Sequence, residues 1–221
     1  MTADWICHGL LGTAVADFGS RFGKDAVSEE DAIRAASIRG SPLFEEGSGQ
    51  AAPDEFLSGL QAEVSLAFVT DALDPRVLEL VNKTNQFNLN GKRYSHAEWV
   101  AGTSSPDSFV LVASYKDKFG PLGKIGVMAG ERQGSELRIH TWVMSCRAFS
   151  RRIEHQCLEQ LFTAFPISAI RFGFARTDRN HVLEHFLESL LGEPPTSDAL
   201  LSREVFRAKV PQLFHRVALR S

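Results

Sequence analysis

Residues 141–154 read TWVMSCRAFSRRIE, a pattern with three parts. The apolar beginning is typical of a buried strand, the middle is a short polar loop, and a helix begins near Ile153. Backbone N–H groups at a helix start have no partner within the helix, so they can bind a phosphate. Arg147, Arg151 and Arg152 add positive charge there, which predicts a phosphate-binding loop. The alternative is a capped helix start with solvated arginines.

Strands and helices alternate on both sides of this loop. The apolar patterns predict strands at 63–69, 108–115, 124–129, 137–144, 169–174, 205–209 and 214–219. They predict helices from Asp74-Pro75 toward residue 81, at 153–165 and at 180–191, with turns at 120–123 and 130–134. This order predicts an α/β domain with a mixed central sheet flanked by helices.

The first 60 residues have a different pattern. Ser28 followed by Glu29, Glu30 and Asp31 is typical of a helix start, and residues 41–53 are rich in Gly, Ser, Pro and Glu. A short helix is expected at 54–60. We therefore predict a helical N-terminal extension over residues 1–60 and a single domain over residues 61–221.

Composition limits the function classes. A chain of 221 residues with 43% hydrophobic residues can bury a substantial core, and a net charge of -3 disfavours nucleic acid as a partner. Three widely spaced cysteines without a CxxC pair favour neither a disulfide framework nor a zinc site. We expect a reducing, cytoplasmic setting, no metal and no membrane contact, because the N-terminus has no apolar run of spanning length.

Residues 82–90, NKTNQFNLN, form an unusual polar run. Amide and hydroxyl side chains dominate it, in neither a helical nor a strand pattern, and such side chains favour turns and caps. We interpret the run as a loop that presents polar groups to a ligand. A solvated loop with an Asn cap is the alternative.

The run 82–90, together with Ser145-Cys146-Arg147, Arg151 and Glu154, resembles the C-terminal acyltransferase-like part of the FkbH-like family. That part has the fold of GCN5-related acetyltransferases (GNAT), and the order of elements here is similar. The resemblance covers about residues 60–190, and the region around Val27 to Arg34 resembles the preceding linker. Family members also carry a part similar to haloacid-dehalogenase phosphatases, whose paired aspartates do not occur in this sequence. They are associated with loading glyceryl units onto acyl carrier proteins in polyketide-type biosynthesis.

The resemblance implies a GNAT-like acyltransferase that takes its acyl group from coenzyme A or from the phosphopantetheine arm of an acyl carrier protein. A separate phosphatase-like protein is a further expected partner. Carried onto this sequence, the expected cofactor-binding residues are Met144, Arg147, Ser150, Arg151, Arg152 and Asn180. The expected catalytic residues are Cys146, Asn85 and Asn88, and the expected substrate-binding residues are Gln86, Asn82, Trp142 and His140.

Several positions depart from the GNAT pattern. Ser150 stands where a glycine usually lets the backbone approach the phosphates, and Arg152 replaces a small residue. Leu187 stands where a tyrosine often protonates the leaving thiolate, and leucine cannot donate a proton. These departures keep a second function open, namely a catalytically silent module that docks an acyl carrier protein or a partner enzyme.

Two further motifs have competing interpretations. The run His181-Val182-Leu183-Glu184-His185 matches a zinc-protease pattern, but a solvated or packed helix face is the expected explanation. Cys146 lies near a helix start, which favours a thiolate and would permit a covalent acyl-enzyme. A small residue packed at a strand end is the alternative for Cys146.

Overall fold

The computed structural model describes residues 52–69 and 74–220, so residues 1–51 of the extension predicted over 1–60 lie outside the described residues. The helices are α1 (Asp54–Ser58), α2 (Pro75–Lys83), α3 (His96–Thr103), α4 (Ile153–Ala164), α5 (His181–Leu191) and α6 (Arg203–Lys209). The strands are β1 (Glu63–Phe68), β2 (Phe87–Asn88), β3 (Ser108–Asp117), β4 (Gly120–Gln133), β5 (Glu136–Met144), β6 (Ala169–Phe172), β7 (Ala199–Ser202) and β8 (Arg216–Arg220). A short 3₁₀ turn, Cys146–Ala148, precedes α4.

The strands form one mixed sheet. Within the described residues its order is β7-β6-β5-β4-β3-β1-β8, and β2 pairs separately with β5. The pairs β1/β8 and β5/β6 are parallel, whereas the β3–β4–β5 meander is antiparallel. The predicted α/β class, with a mixed central sheet flanked by helices, is confirmed, and the arrangement is compatible with a GNAT-like fold.

Two apolar cores cover the two faces of the sheet. The first core holds the buried faces of α4 and α5, with Leu158, Leu161, Leu183 and Leu187 among its members. The second lies under α2 and α3 and includes Val81 and Trp99. Residues 109–113 of β3 are buried on both faces, as expected for a central strand with an uninterrupted apolar run.

The segment before β1 packs into the first of these cores. Ala52, Leu57 and Leu60 are buried there, and the backbone N–H of Lys118 donates to the carbonyl of Leu60. The short helix expected at 54–60 is observed as α1. Residues from Ala52 onward are therefore part of the same packed body as the sheet, ahead of the predicted boundary at residue 61.

The longest strand, β4, contains 120–123 and most of 130–134, where the two turns were predicted. The chain reverses at 118–119 and at 134–135, so the first turn lies before its predicted position and the second begins at the last residue of its predicted range. A register shift follows Ala129, and a Cβ at Gly130 would lie 2.2 Å from the Arg138 carbonyl oxygen. Glycine at this position thus permits close approach of two strands rather than a chain reversal.

The C-terminal segment contains a further correction. Residues 205–209, predicted as a strand, belong to α6, and the preceding strand β7 was not predicted. The Ser202 hydroxyl accepts a hydrogen bond from the Val205 N–H at 3.1 Å and caps the helix. A short apolar run does not distinguish strand from helix, and the cap determines the outcome here.

Candidate functional site

The connection from β5 to α4 has the predicted strand–loop–helix form. The Ser145 N–H donates to the Ile125 carbonyl, and the turn Cys146–Ala148 follows. Ser150 has φ of 63° and Arg152 has φ of 59°, so both adopt the left-handed conformation that favours glycine. The loop therefore has a backbone suited to glycine at both positions where the sequence departs from the GNAT pattern.

The start of α4 has no side-chain cap. Arg152 occupies the N-cap position, and its side chain makes no capping hydrogen bond. The first-turn N–H groups give the helix start a partial positive charge. An uncapped helix start is the feature from which the sequence predicts phosphate binding at this loop.

Glu154 lies in this first turn and is largely enclosed, with 14% of its side chain exposed. Burial raises the pKa of its carboxyl to about 7. Burial lowers the pKa of the neighbouring His155 to about 4, and Nδ1 of His155 has no hydrogen-bond partner among the described residues. The two side chains approach within 3.8 Å. Near neutral pH the helix start therefore holds a neutral imidazole beside a carboxyl that can gain or lose a proton.

Arg151 turns away from solvent toward the protein. Its guanidinium donates to the Arg147 carbonyl at 2.7 Å, and its Nε lies 3.7 Å from a buried oxygen of Asp117. It also lies over the ring of Tyr115. The side chain is therefore engaged in holding the loop, contrary to the expectation that it faces a cofactor phosphate.

Arg152 is likewise engaged. Its guanidinium donates to the Gln212 carbonyl at 2.8 Å and to Asp54 Oδ1 at 2.6 Å, and it contacts the ring of Phe214. It ties the loop to α1 and to the segment before β8. Arg147 is half-buried in the same loop, and its Nε lies 3.4 Å from the Ser145 hydroxyl. Cys146 is exposed in the same turn.

The polar run 82–90 closes a gap in the sheet. β6 pairs with the first half of β5, as far as Ile139, and β2 pairs with the second half, at Val143 and Met144. The Leu89 N–H donates to the Trp142 carbonyl, and the Leu89 carbonyl accepts from the Ala175 N–H. Residues 87–89 therefore fill the space between β5 and the chain beyond β6, and we call this segment the wedge.

Four asparagines hold the wedge. Asn88 donates to the Thr84 carbonyl and accepts from the N–H groups of Asn90 and Gly91. Asn90 donates to the carbonyls of His140, in β5, and of Gly173, which directly follows β6. Asn82 pairs with both backbone groups of Tyr94.

Asn180 completes this set. Its amide donates to the carbonyls of Asn88 and Ala175, its oxygen accepts from the Thr177 N–H, and the side chain is fully buried. The interpretation of the run as a presenter of polar groups is therefore wrong for Asn82, Asn88 and Asn90. Their amides, like that of Asn180, face backbone groups of the protein. Asn85 and Gln86 alone of the predicted amides are exposed.

Aromatic side chains fill the space behind the wedge. Phe87 contacts the rings of Trp142, Phe149 and Phe186 at centroid distances of 5.2, 6.0 and 5.7 Å. Leu187 is fully buried in the same core.

Trp142 and Met144, predicted to contact ligand, are buried core residues. His140 is half-buried; its Nδ1 lies 3.2 Å from the Thr141 hydroxyl, and burial lowers its pKa.

The structure thus brings some of the predicted residues together and separates others. Cys146, Arg147 and Ser150 share one loop, and Gln86 lies beside it because Phe87 pairs with Met144 at the end of β5. Asn85 is exposed and accepts a hydrogen bond from Arg93.

Three residues that contact this region were not predicted from the sequence, namely Arg93, Asp117 and His155. Arg93 could have been found from the Lys-Arg pair that follows the polar run. The contacts of Asp117 and His155 depend on tertiary packing, and no local pattern indicates them.

Several further features of the described structure lie apart from this loop. His181 and His185 are exposed on α5 with ring centroids 6.3 Å apart, while Glu184 pairs with Arg176. No group of three or more metal-ligating side chains occurs among the described residues.

A cavity of about 340 Å³ lies at the opposite end of the sheet, lined by Phe68, Phe109 and Phe165 among others. No helix within residues 52–69 or 74–220 has the length and apolarity needed to cross a membrane.

Comparison with known proteins leaves the function to be argued from this geometry, since no family model and no curated protein matches the chain.

Proposed function

We propose that this chain is a GNAT-like module that binds the phosphate end of a phosphopantetheine arm and docks the acyl carrier protein that carries it. The same chemical group occurs in coenzyme A. Transfer of the acyl group is not part of the proposed function. The observation that carries this proposal is the pairing of the β5 edge, beside the phosphate loop, with the protein's own wedge.

Three features of the loop support phosphate binding. The N-cap residue of α4 makes no side-chain capping hydrogen bond, Ser150 and Arg152 have left-handed backbones, and Arg147 adds a positive charge. Successive N–H groups in such a backbone form a concave site for an anion. Left-handed non-glycine residues persist only where surrounding structure enforces them, and they cluster at binding sites.

Two features oppose transfer. An arm that extends from the loop along β5 meets residues 87–89, because the Trp142 carbonyl already accepts from Leu89. Leu187 offers no proton for a departing thiolate, and Tyr115 donates to Asp117 and has a raised pKa because it is buried. A missing general acid reduces a rate by a factor of about 100–10,000. Docking is therefore the better-supported function.

The wider setting is also part of the proposal. Cys146 and Cys157 are free, which fits a reducing cytoplasm. Polyketide-type biosynthesis with a separate phosphatase-like partner remains the pathway that the FkbH-like resemblance implies.

The acyltransferase is the second candidate, and the exposed thiol of Cys146 favours it. A carboxyl with a pKa of about 7, such as that of Glu154 in the first turn of α4, can exchange a proton near neutral pH. In that reaction the Cys146 sulfur bonds to the thioester carbon and the pantetheine thiol leaves. The proton released from Cys146 ends on the departing sulfur.

Calorimetry with holo and apo acyl carrier protein and with coenzyme A tests the docking function. Holo carrier protein should bind more tightly than apo, and Arg147→Ala should weaken holo binding about tenfold. Arg138→Ala is the control, since Arg138 lies at the other end of β5 and pairs with Asp198. Equal binding of holo and apo forms, or no effect of Arg147→Ala, would contradict the proposal.

Intact mass spectrometry after incubation with acyl-CoA or acylated carrier protein tests the second candidate. The docking function predicts no adduct and no turnover. An added acyl mass that disappears in Cys146→Ala, or steady release of product, would establish transfer instead.

A further inference from the structure

The cavity of about 340 Å³ lies beside the C-terminal end of α4, with Phe165 in its lining. Its volume is at the small end of the range of about 300–1,000 Å³ that ligand pockets occupy. The phosphate loop precedes the other end of the same helix, which is roughly 18 Å long because each of its 12 residues adds about 1.5 Å. The cavity therefore has the size for one small molecule and is separate from the phosphate loop.

Three phenylalanine rings form the apolar part of the lining. The ring centroid of Phe165 lies 5.5 Å from that of Phe68 and 5.4 Å from that of Phe109, and the other two centroids are 6.3 Å apart. The ring planes are inclined to one another at 89°, 47° and 73°, so the group presents both ring edges and ring faces. A further aromatic ring packs well against such a group, because ring edges are partly positive and ring faces partly negative. Phe68 and Phe165 are only half-buried, which leaves area for this contact.

An arginine and an aspartate line the same cavity without forming an ion pair. The Arg132 N–H donates to the Asp107 carbonyl at 2.9 Å, so the two residues are neighbours in the backbone. Within residues 52–69 and 74–220, neither the Arg132 guanidinium nor the Asp107 carboxylate belongs to an ion pair. Arg138 on the neighbouring strand differs, because it pairs with Asp198. The cavity thus offers one positive and one negative group to a ligand.

Arg132 is oriented by the protein and keeps free donors. Its Nε donates to a backbone carbonyl of the β4–β5 turn at 3.1 Å, and a guanidinium has five N–H donors in all. The two carboxylates of the same hairpin are engaged elsewhere. Glu131 accepts from Gln133 at 2.6 Å, and Glu136 pairs with Arg171 at 3.0 Å. The terminal nitrogens of Arg132 are therefore available to a ligand carboxylate, which a guanidinium can bind in bidentate fashion.

We propose that this cavity binds a free amino acid with an aromatic side chain. Its ring packs against the three phenylalanines, its carboxylate binds Arg132, and its ammonium group binds Asp107. A ligand that carries both charges gives each side chain a partner. An anion alone is repelled by Asp107, and a cation alone is repelled by Arg132. The inference does not depend on the proposed function, because the cavity and the phosphate loop lie at opposite ends of α4.

Calorimetry of the full chain with L-phenylalanine tests the proposal. Two analogues separate the charges, since phenethylamine lacks the carboxylate and hydrocinnamate lacks the ammonium group. We expect saturable binding of L-phenylalanine and about tenfold weaker binding of each analogue. L-alanine, which keeps both charges and lacks the ring, should also bind at least about tenfold more weakly.

Two variants assign the charged groups. Arg132→Gln should weaken binding of L-phenylalanine and hydrocinnamate about tenfold and leave that of phenethylamine unweakened. Asp107→Asn should weaken binding of L-phenylalanine and phenethylamine and leave that of hydrocinnamate unweakened. Arg138→Gln is the matched control, because it removes an arginine from the adjacent strand outside the cavity. Both Arg132 and Asp107 are exposed, so the fold should be preserved, and circular dichroism checks this.

NMR places the bound ligand. The methyl signals of Val69 and Val110, which line the cavity, should shift with L-phenylalanine, whereas those of Val143 should not. Arg147→Ala alters the phosphate loop and should leave binding of L-phenylalanine unchanged. The absence of saturable binding, or an equal loss for all three aromatic ligands in Arg132→Gln, would overturn the proposal. Binding that leaves the Val69 and Val110 signals unchanged would overturn it as well.

Discussion

Two residues of the phosphate loop have backbones that their side chains disfavour. Ser150 and Arg152 have φ values of 63° and 59°. A left-handed conformation costs a residue with a Cβ roughly 1–2 kcal/mol. The packing of the loop, with Arg151 and Arg152 bound to distant parts of the protein, outweighs this penalty.

Substitution of Ser150 measures that penalty. Ser150→Gly should be more stable than Ser150→Ala by about 1–2 kcal/mol, because both remove the hydroxyl and only glycine relieves the left-handed backbone. Chemical denaturation of the two variants gives the comparison. Equal stability of the two would mean that the loop relaxes to another conformation.

Glu154 should make stability depend on pH in a particular direction. Its carboxyl has a pKa of about 7 when folded and an ordinary value of 4.5, so the folded state retains a proton that the unfolded state has lost between these values. Stability therefore falls as the pH rises through that window, by about 3 kcal/mol, since each pH unit corresponds to about 1.4 kcal/mol.

The Glu154→Gln variant isolates this effect. The free energy of unfolding of Glu154→Gln, relative to wild type, should increase by about 3 kcal/mol from about pH 4 to about pH 8. His155 acts in the opposite sense, because its lowered pKa makes stability fall as the pH drops from 6.5 toward 4. Both proteins retain His155, so their difference reports on Glu154. A pH-independent difference would refute the assignment.

At the level of elements, the wedge is held by asparagine side chains rather than by a long strand. β2 has two residues, too few to be stable by backbone pairing alone. Asn88, Asn90 and Asn180 supply the additional hydrogen bonds, and most of their acceptors are backbone carbonyls of other elements. An amide that carries both a donor and an acceptor suits this role.

Asn180→Ala tests how much the wedge depends on these bonds. The substitution leaves the carbonyls of Asn88 and Ala175 and the Thr177 N–H without their partner and should lower stability by about 3 kcal/mol, or roughly 6–12 °C in Tm. Gln86→Ala is the control, because Gln86 is exposed, and it should change stability by less than about 0.5 kcal/mol. A similar Tm for both variants would argue against this role.

The elements also show how far the sequence alone can lead. The apolar run of β3 and the Asp74-Pro75 start of α2 predicted their elements because the relevant interactions are local. The polar run 82–90 indicated an unusual loop, but not that its amides face inward. Asn90 bonds to carbonyls 50 and 83 residues away, and no local pattern specifies such partners. Arg151 and Arg152 were predicted to face a phosphate, but they contact Asp117 and Gln212, which are also distant in the sequence.

At the level of the whole molecule, the sheet is completed by its most distant pairing. β8 lies parallel to β1, and Glu63 bonds to Arg216, 153 residues away, as well as to Lys116 at 2.9 Å. Within the described residues, β8 occupies the edge of the sheet, and Leu219 is 64% exposed. An edge strand with few buried side chains is expected to open before the central strands.

At low pH, β8 should lose its hydrogen-exchange protection before the central strands do. The hydrogen bonds from Lys116 and Arg216 lower the pKa of Glu63 in the folded state below its ordinary value of 4.5. The stability that they provide is therefore fully present above pH 4.5, and it is lost as the pH falls through the lowered pKa of the folded state. Hydrogen-exchange protection of the Val217 and Leu219 amides should decrease in acid while that of Val127 in β4 persists. Glu63→Gln should abolish this pH dependence. Loss of protection in β4 at the same pH would indicate global unfolding instead.

The wedge also has a kinetic consequence. Any molecule that needs the β5 edge at Trp142–Met144 can reach it only after residues 87–89 have left, so the protein's own motion precedes the encounter. The observed association rate should then level off as ligand concentration rises, at the rate with which the wedge departs. Asn180→Ala should raise that plateau, and stopped-flow mixing would detect it. A two-residue strand would thereby set how fast this face of the sheet becomes accessible.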